Sequence, residues 1–180
     1  MSGVVKCVLA SLAISATSAP AYAKVMQADT SGFAVLETGE VRASPEAVWA
    51  ALVHPERWWN KAHSWTGDAR NFSMTIKQGG CFCEALPHSG FVEHARVVFA
   101  RPASMLRLSG AFGPLQSEAL SGTLTMKIVP GKDGTSTVTF EYVVGGYSRM
   151  ALTELAPAVD GVIAEQHRRL LKLVETGRPD

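Results

Sequence analysis

Residues 123–145 read TLTMKIVPGKDGTSTVTFEYVVG. Apolar and polar side chains alternate on both sides of a break containing Pro130, Gly131, Asp133 and Gly134. Leu124, Met126 and Ile128 fall on one face of the first run. Val138, Phe140, Tyr142 and Val144 fall on one face of the second. A period of two belongs to a half-buried strand, and Gly, Pro and Asp are residues that turns demand. The stretch predicts two antiparallel strands, 123–129 and 136–145, with one face on a core.

Working outward, the same pattern recurs upstream at 72–77, 80–86, 90–100 and 105–111. Gln78-Gly79-Gly80, Pro87-His88-Ser89-Gly90 and Arg101-Pro102 supply the breaks between these runs. A further alternating run covers 33–41. It leads into ASPEAVWAAL, where Ser44 suits an N-cap, Pro45 the first helical position and Glu46 the positive helix end. Val48, Trp49 and Leu52 make its apolar stripe, Trp49 being assigned to the core, and His54-Pro55 ends it. PERWWNKAHSW, 55–65, reads as a second short helix running into a loop. At the other end Leu155, Val159, Ile163, Gln166, Leu170 and Val174 recur at helical spacing. Pro157 is expected to mark the start of that helix, after a turn at 149–155. The fold class is therefore α+β: a curved antiparallel sheet of about six or seven strands, two short helices after the first strand, and one long C-terminal helix. Such a sheet gripping one helix leaves a hollow between them.

The first 23 residues are set apart from this pattern. Lys6 precedes a short apolar run, Val8 to Ala16, and Ala21-Tyr22-Ala23 fits a small-x-small cleavage site. The run is too short to span a bilayer, and the segment reads as a secretory signal peptide with Lys24 as the first mature residue. Export to a periplasm or to the outside is the expectation. Of 180 residues, a 23-residue leader leaves 157, enough for one ligand-binding domain over 24–180 with its own core. Lys6 is the only charged residue in the leader, so 16 basic and 16 acidic residues remain. That balance carries no nucleic-acid footprint. No later run has the length for stable membrane insertion. Nothing in the sequence sets an oligomeric state.

The element order resembles the START-like superfamily, also called SRPBCC or helix-grip. Within it, SPEAVWAAL, PERWW, the strand entered through Gly79-Gly80, and VVFARP followed by LRLSG are similar to the branch of polyketide cyclases and heat-shock-ATPase-activator homologues. The likeness runs from Phe33 to Val174. It implies a cavity between sheet and terminal helix, and a small apolar or aromatic ligand, lipids included. Family members share the cavity and differ in what they do with it. Most relatives of this kind are cytosolic, which sets the expected export apart from them.

A two-residue turn at His88-Ser89 would pair residues whose numbers sum to 177. Phe82, Glu84 and Leu86 would then share a face with Phe91, Glu93 and Ala95, and the cysteines the other face with His94 and Arg96. A slip of one residue would instead bring Glu84 beside His94. On the first register Glu84 and Glu93 face the hollow, where close like charge and burial raise a carboxyl pKa toward general acid–base work. The alternative is that one or both reach solvent or pair with Arg96 or Arg107. Candidate ligand contacts are Trp58, Trp59, His63 and Trp65 at the mouth, with Phe82, Phe91, Tyr142, Tyr147 and Gln166. Each has an ordinary structural alternative, the core for the aromatics and solvent for His63.

Cys81 and Cys83 stand two apart in a strand, about 6.6 Å between Cα atoms, and free thiols are expected unless a bulge breaks the strand. Their spacing with His88 and His94 is not a zinc pattern, so no metal is assigned. No nucleophile elbow, phosphate loop or dinucleotide fingerprint is present, so no cofactor is assigned. Three readings stay open. The first is a small-molecule binder. The second is a cyclase or hydratase using Glu84 or Glu93 with His94 or Tyr142. The third is a protein-interaction or chaperone-cofactor module.

Overall fold

The structure, a computed structural model, describes residues 24–180; the expected leader lies outside them. Eight strands form a single antiparallel sheet. They are β1 (Lys24–Ala28), β2 (Gly32–Val41), β3 (Phe72–Met74), β4 (Cys81–Ala85), β5 (Phe91–Arg101), β6 (Met105–Ser109), β7 (Ala119–Pro130) and β8 (Ser136–Tyr147). The spatial order is β1-β2-β8-β7-β6-β5-β4-β3. Two helices complete the fold, α1 (Pro45–Leu52) and α2 (Leu152–Thr176). This is the helix-grip arrangement, an open sheet with one long C-terminal helix. Among the described residues no helix is long and apolar enough to cross a membrane.

The 123–145 hairpin lies at the centre. β7 pairs with β8 from Ala119↔Tyr147 to Pro130↔Ser136 without a break, and β8 pairs with β2 over ten residue pairs. Leu124, Met126, Ile128, Val138, Phe140, Tyr142 and Val144 are all buried, as the alternation requires. The strand missed by the sequence reading is β1, whose five residues extend the sheet beyond β2. Ser44 caps α1, its Oγ accepting from the Ala47 N–H at 3.3 Å, and Trp49 is partly buried against the core. The expected second helix is replaced by 3-10 turns at Pro55–Arg57, Lys61–His63 and Ala69–Asn71.

Helix α2 starts at Leu152, so Pro157 sits inside it rather than at its head. The missing N–H of Pro157 removes one early hydrogen bond, a loss that packing of the following turns offsets. The helix ends at Gly177, in the left-handed conformation at φ 78°. It packs chiefly on β2, with β1 and β8 alongside. His167 and Leu171 fill the approach at Gly39 of β2, where an added Cβ would lie 2.7 Å from Leu171 Cδ1. Buried His167 uses Nε2 to donate to the Val138 carbonyl at 3.0 Å.

Two further local features differ from the sequence reading, and these lie in the β4–β5 hairpin. The turn has three residues rather than two. Leu86 N–H donates to the Gly90 carbonyl at 2.9 Å, and His88 and Ser89 take positive φ of 57° and 62°. Near the turn the register is Ala85↔Phe91, Glu84↔Val92 and Cys83↔Glu93. Beyond it comes Phe82↔Ala95 and Cys81↔Arg96, the register expected. His94 is the extra residue between the two registers, a β-bulge on β5. Opposite the bulge, Cys81 and Cys83 are joined in a disulfide with their Cα atoms 5.4 Å apart. Free thiols were the expectation; the bulge is what lets the bond form, because β4 is contracted where β5 carries a residue more.

Two outcomes are expected. Native protein should titrate with no free thiol at Cys81 or Cys83, and with two after reduction; thiol counting with a chromogenic disulfide checks this. Gly122→Ala should destabilise the fold by about 1–3 kcal/mol in urea denaturation. The reason is that its Cβ would stand 2.4 Å from the Gly110 carbonyl oxygen and 2.5 Å from the Tyr142 hydroxyl.

Candidate functional site

The bulge has a direct consequence for the interior. Alternation along β5 breaks at His94-Ala95, both of which are buried. His94 is turned inward beside Glu84, itself wholly buried on β4. Nε2 of His94 lies 3.2 Å from Glu84 Oε2. The remaining acceptor capacity of Glu84 is filled by the loop that precedes β3. Ser64 Oγ donates at 2.8 Å, Thr66 Oγ1 at 2.7 Å, and the N–H groups of Trp65 and Thr66 at 3.1 and 2.8 Å. Burial by itself would push the Glu84 carboxyl up, but this ring of donors outweighs it and holds the group below the ordinary carboxylate range. Glu84 is thus a buried carboxylate with its charge fully served.

That charge fixes the state of His94. Burial pushes the imidazole below its usual range, and Glu84 only partly offsets this. The ring is neutral near pH 7. Since the carboxylate only accepts, the ring proton sits on Nε2. Nδ1 then carries the lone pair, and it has no hydrogen-bond partner among the described residues. Phe72 and Phe82 cover the ring at centroid distances of 5.3 and 5.2 Å.

His94 borders a cavity of about 320 Å³. Three pieces of chain enclose it: the loop from Trp59 to Trp65, the segment from Phe112 to Leu115, and the first half of α2 from Leu155 to Ile163. The wall is overwhelmingly apolar. Tyr142 contributes its ring, while its hydroxyl is spent on structure. The hydroxyl donates to the Gly110 carbonyl at 3.0 Å and accepts from the Phe112 N–H at 3.1 Å. Burial raises the phenol far above its normal range. This staple fixes the Phe112–Leu115 wall to the sheet. The opposite wall is clasped to α2. Gln166 Oε1 accepts from the Asn60 N–H at 2.7 Å, and His63 Nε2 meets Glu165 Oε2 at 3.0 Å. Among the described residues two buried donors have no partner, the Trp59 indole N–H and Nε2 of Gln166.

The sequence-derived candidates divide by position. Trp59, His63, Trp65 and Tyr142 line the cavity; Trp65 is 60% exposed and forms its rim. Trp58 and Phe82 are buried in the core behind it, with the Trp58 indole donating to the Leu52 carbonyl. Gln166 is buried at the clasp. Phe91 and Tyr147 point to solvent at 71% and 72% exposure, away from the cavity. The two glutamates do not share a face. Glu93 lies outward and pairs with Arg96 at 2.6 Å, while Glu84 lies inward, because the turn is one residue longer than expected. Ser64, Thr66, Phe112 and the Leu155–Ile163 face are the contributors sequence reasoning passed over. A Ser-x-Thr loop and an apolar helix stripe are too common to stand out.

No protein-family model matches the chain, and no curated protein does. Solved structures do share its fold. A conserved protein of unknown function from Enterococcus faecalis superposes with a TM-score of 0.57 at 11% identity, over 87% of this chain and 78% of its own. CalU16 from Micromonospora echinospora gives 0.54 at 14% identity, over 89% and 86%. DynU16, from the dynemicin biosynthetic locus, gives 0.56 at 17% identity, over 81% of this chain and 48% of its own. At such identities the likeness is one of fold, and function has to be argued from the cavity.

The pKa directions set a pH dependence. Glu84 and His94 both hold protons more weakly when folded than when unfolded. Acidification therefore favours the unfolded chain, first below 6.5 through His94 and then below 4.5 through Glu84. Denaturation midpoints measured from neutrality to about pH 4 should fall steadily. His94→Gln should flatten the upper part of that fall and Glu84→Gln the lower part.

Proposed function

We propose that this chain is an exported, START-like domain that holds a small apolar or aromatic molecule in the cavity beside His94. The observation that carries this is the cavity itself: about 320 Å³, apolar, and supplied with one buried, oriented imidazole, His94. Ligand pockets commonly start at about 300 Å³ and combine an apolar wall with few placed polar groups. The wall offers no lysine or arginine, which favours an uncharged ligand. The fold shared with CalU16 and DynU16 is compatible with this reading. The disulfide supports the exported location expected from the first 23 residues, since such bonds persist in oxidising compartments. Trp65 at the rim gives an aromatic surface at the entrance.

Native mass spectrometry of protein purified from its own periplasm should show a retained small molecule, or an empty site that takes up 1-aminoanthracene. Val162→Trp, which places an indole in the cavity from α2, should weaken that uptake at least about tenfold, equivalent to about 1.4 kcal/mol. Uptake unaffected by Val162→Trp would defeat the cavity reading. The intact mass of the exported protein should correspond to a chain beginning at Lys24 with two hydrogens fewer than the dithiol; a chain retaining its first 23 residues would defeat that part.

A further inference from the structure

From the geometry we infer that His94 is a general base, oriented by Glu84, that removes a proton from an apolar carbon acid bound in the cavity. The substrate class is a small, uncharged molecule with an activated C–H. This rests on the cavity reading and deepens it.

Three observations converge. His94 is more than nine-tenths buried and borders the cavity, and Nδ1 is without a partner. Its other nitrogen is committed to a carboxylate that five hydrogen bonds fix in place. The bulge that puts it there lies at the one strand position that reaches this wall from β5. A histidine needed only for packing requires neither the bulge nor a charged partner.

The surroundings narrow the chemistry. Glu84 on β4 is the charged group touching the ring; β3 presents Phe72, and β4 also presents Phe82. Across the cavity the titratable side chains are His63, paired with Glu165 and about a third exposed, and Tyr142, whose hydroxyl is held by the backbone. Ser64 also lines the wall, but its hydroxyl donates to Glu84. The buried reactive atom on the wall is thus the Nδ1 lone pair of His94, not a nucleophilic hydroxyl. In the step, Nδ1 takes the proton and the C–H electron pair stays on the molecule as its conjugate carbanion. The resulting imidazolium is stabilised through Nε2–H by the Glu84 carboxylate. Returning the proton to another atom of the same molecule gives an isomer, so no oxidant or second reactant is required.

The test uses 5-nitrobenzisoxazole, a small aromatic carbon acid. A base takes its C3 proton, the N–O bond breaks, and a nitrile and a coloured phenolate form. Wild-type protein should accelerate this with saturation, and the pH–rate profile should turn at a pH below the ordinary histidine value of 6.5. His94→Gln and His94→Asn should lower kcat by about a hundredfold or more while still binding 1-aminoanthracene as wild type does. His94→Ala should regain rate on addition of imidazole. Glu84→Gln should lower kcat and move the turning point further down, since the carboxylate favours the protonated ring. His54→Gln, an exposed histidine away from the cavity, should leave the rate unchanged. If 1-aminoanthracene binds but wild type and the His94 variants share one rate, the base is refuted and the cavity reading stands. If 1-aminoanthracene does not bind, the cavity reading falls and takes the base with it.

Discussion

A single buried carboxylate organises the end of the molecule where the cavity lies. Leaving Glu84 uncompensated inside the protein would cost several kcal/mol. The chain meets that demand with Ser64, Trp65 and Thr66 on one side and His94 on the other. The loop before β3 therefore has little freedom: it must curl around Oε1 and Oε2. Once it does, Trp59 and Trp65 are placed along one wall of the cavity. The His94 tautomer follows from the same charge. Loop course, wall and proton position are three results of one desolvation problem.

The sheet is comparatively insensitive to that region. β2, β8 and β7 pair over long unbroken registers and hold α2 through Gly39, His167 and Leu171. The cavity forms where α2 passes from this rigid part toward the loops, and it is closed by side-chain ties, Gln166 to Asn60 and His63 to Glu165. Framework and cover are thus separate pieces of chain. That separation is consistent with solved proteins of this fold at 11–17% identity, where the framework recurs on very different sequences.

How much could be read beforehand follows the same division. The alternation in 123–145, the Ser44-Pro45 cap and the 155–174 stripe are local signals, each set by a few neighbouring residues, and they gave the architecture. The face occupied by Glu84 depends on the length of the 87–89 turn and on a bulge at His94, and no nearby residue announces either. A two-residue turn and a three-residue turn both suit Pro87-His88-Ser89, yet they put Glu93 on opposite faces of the sheet. Glu84 and His94 were named as candidates, but their contact was visible only as the alternative to the register preferred. The donors of the 64–66 loop meet Glu84 across some twenty residues, a distance that periodicity does not bridge.

The Cys81–Cys83 bond has a role that differs from that of most disulfides. Closing a three-residue ring removes little freedom from the unfolded chain, under about 2 kcal/mol against about 4.7 for a hundred-residue loop. As a cross-link it is nearly idle. As a spacer it is not: it fixes the length of β4 at the place where β5 carries its extra residue, with Phe82 between the two sulfurs and facing the interior. The half-buried sulfurs lie on the outer face of the sheet, and the imidazole lies on the inner face, one backbone thickness away. The disulfide and the inward-turned imidazole are thus the two sides of one local distortion of the sheet.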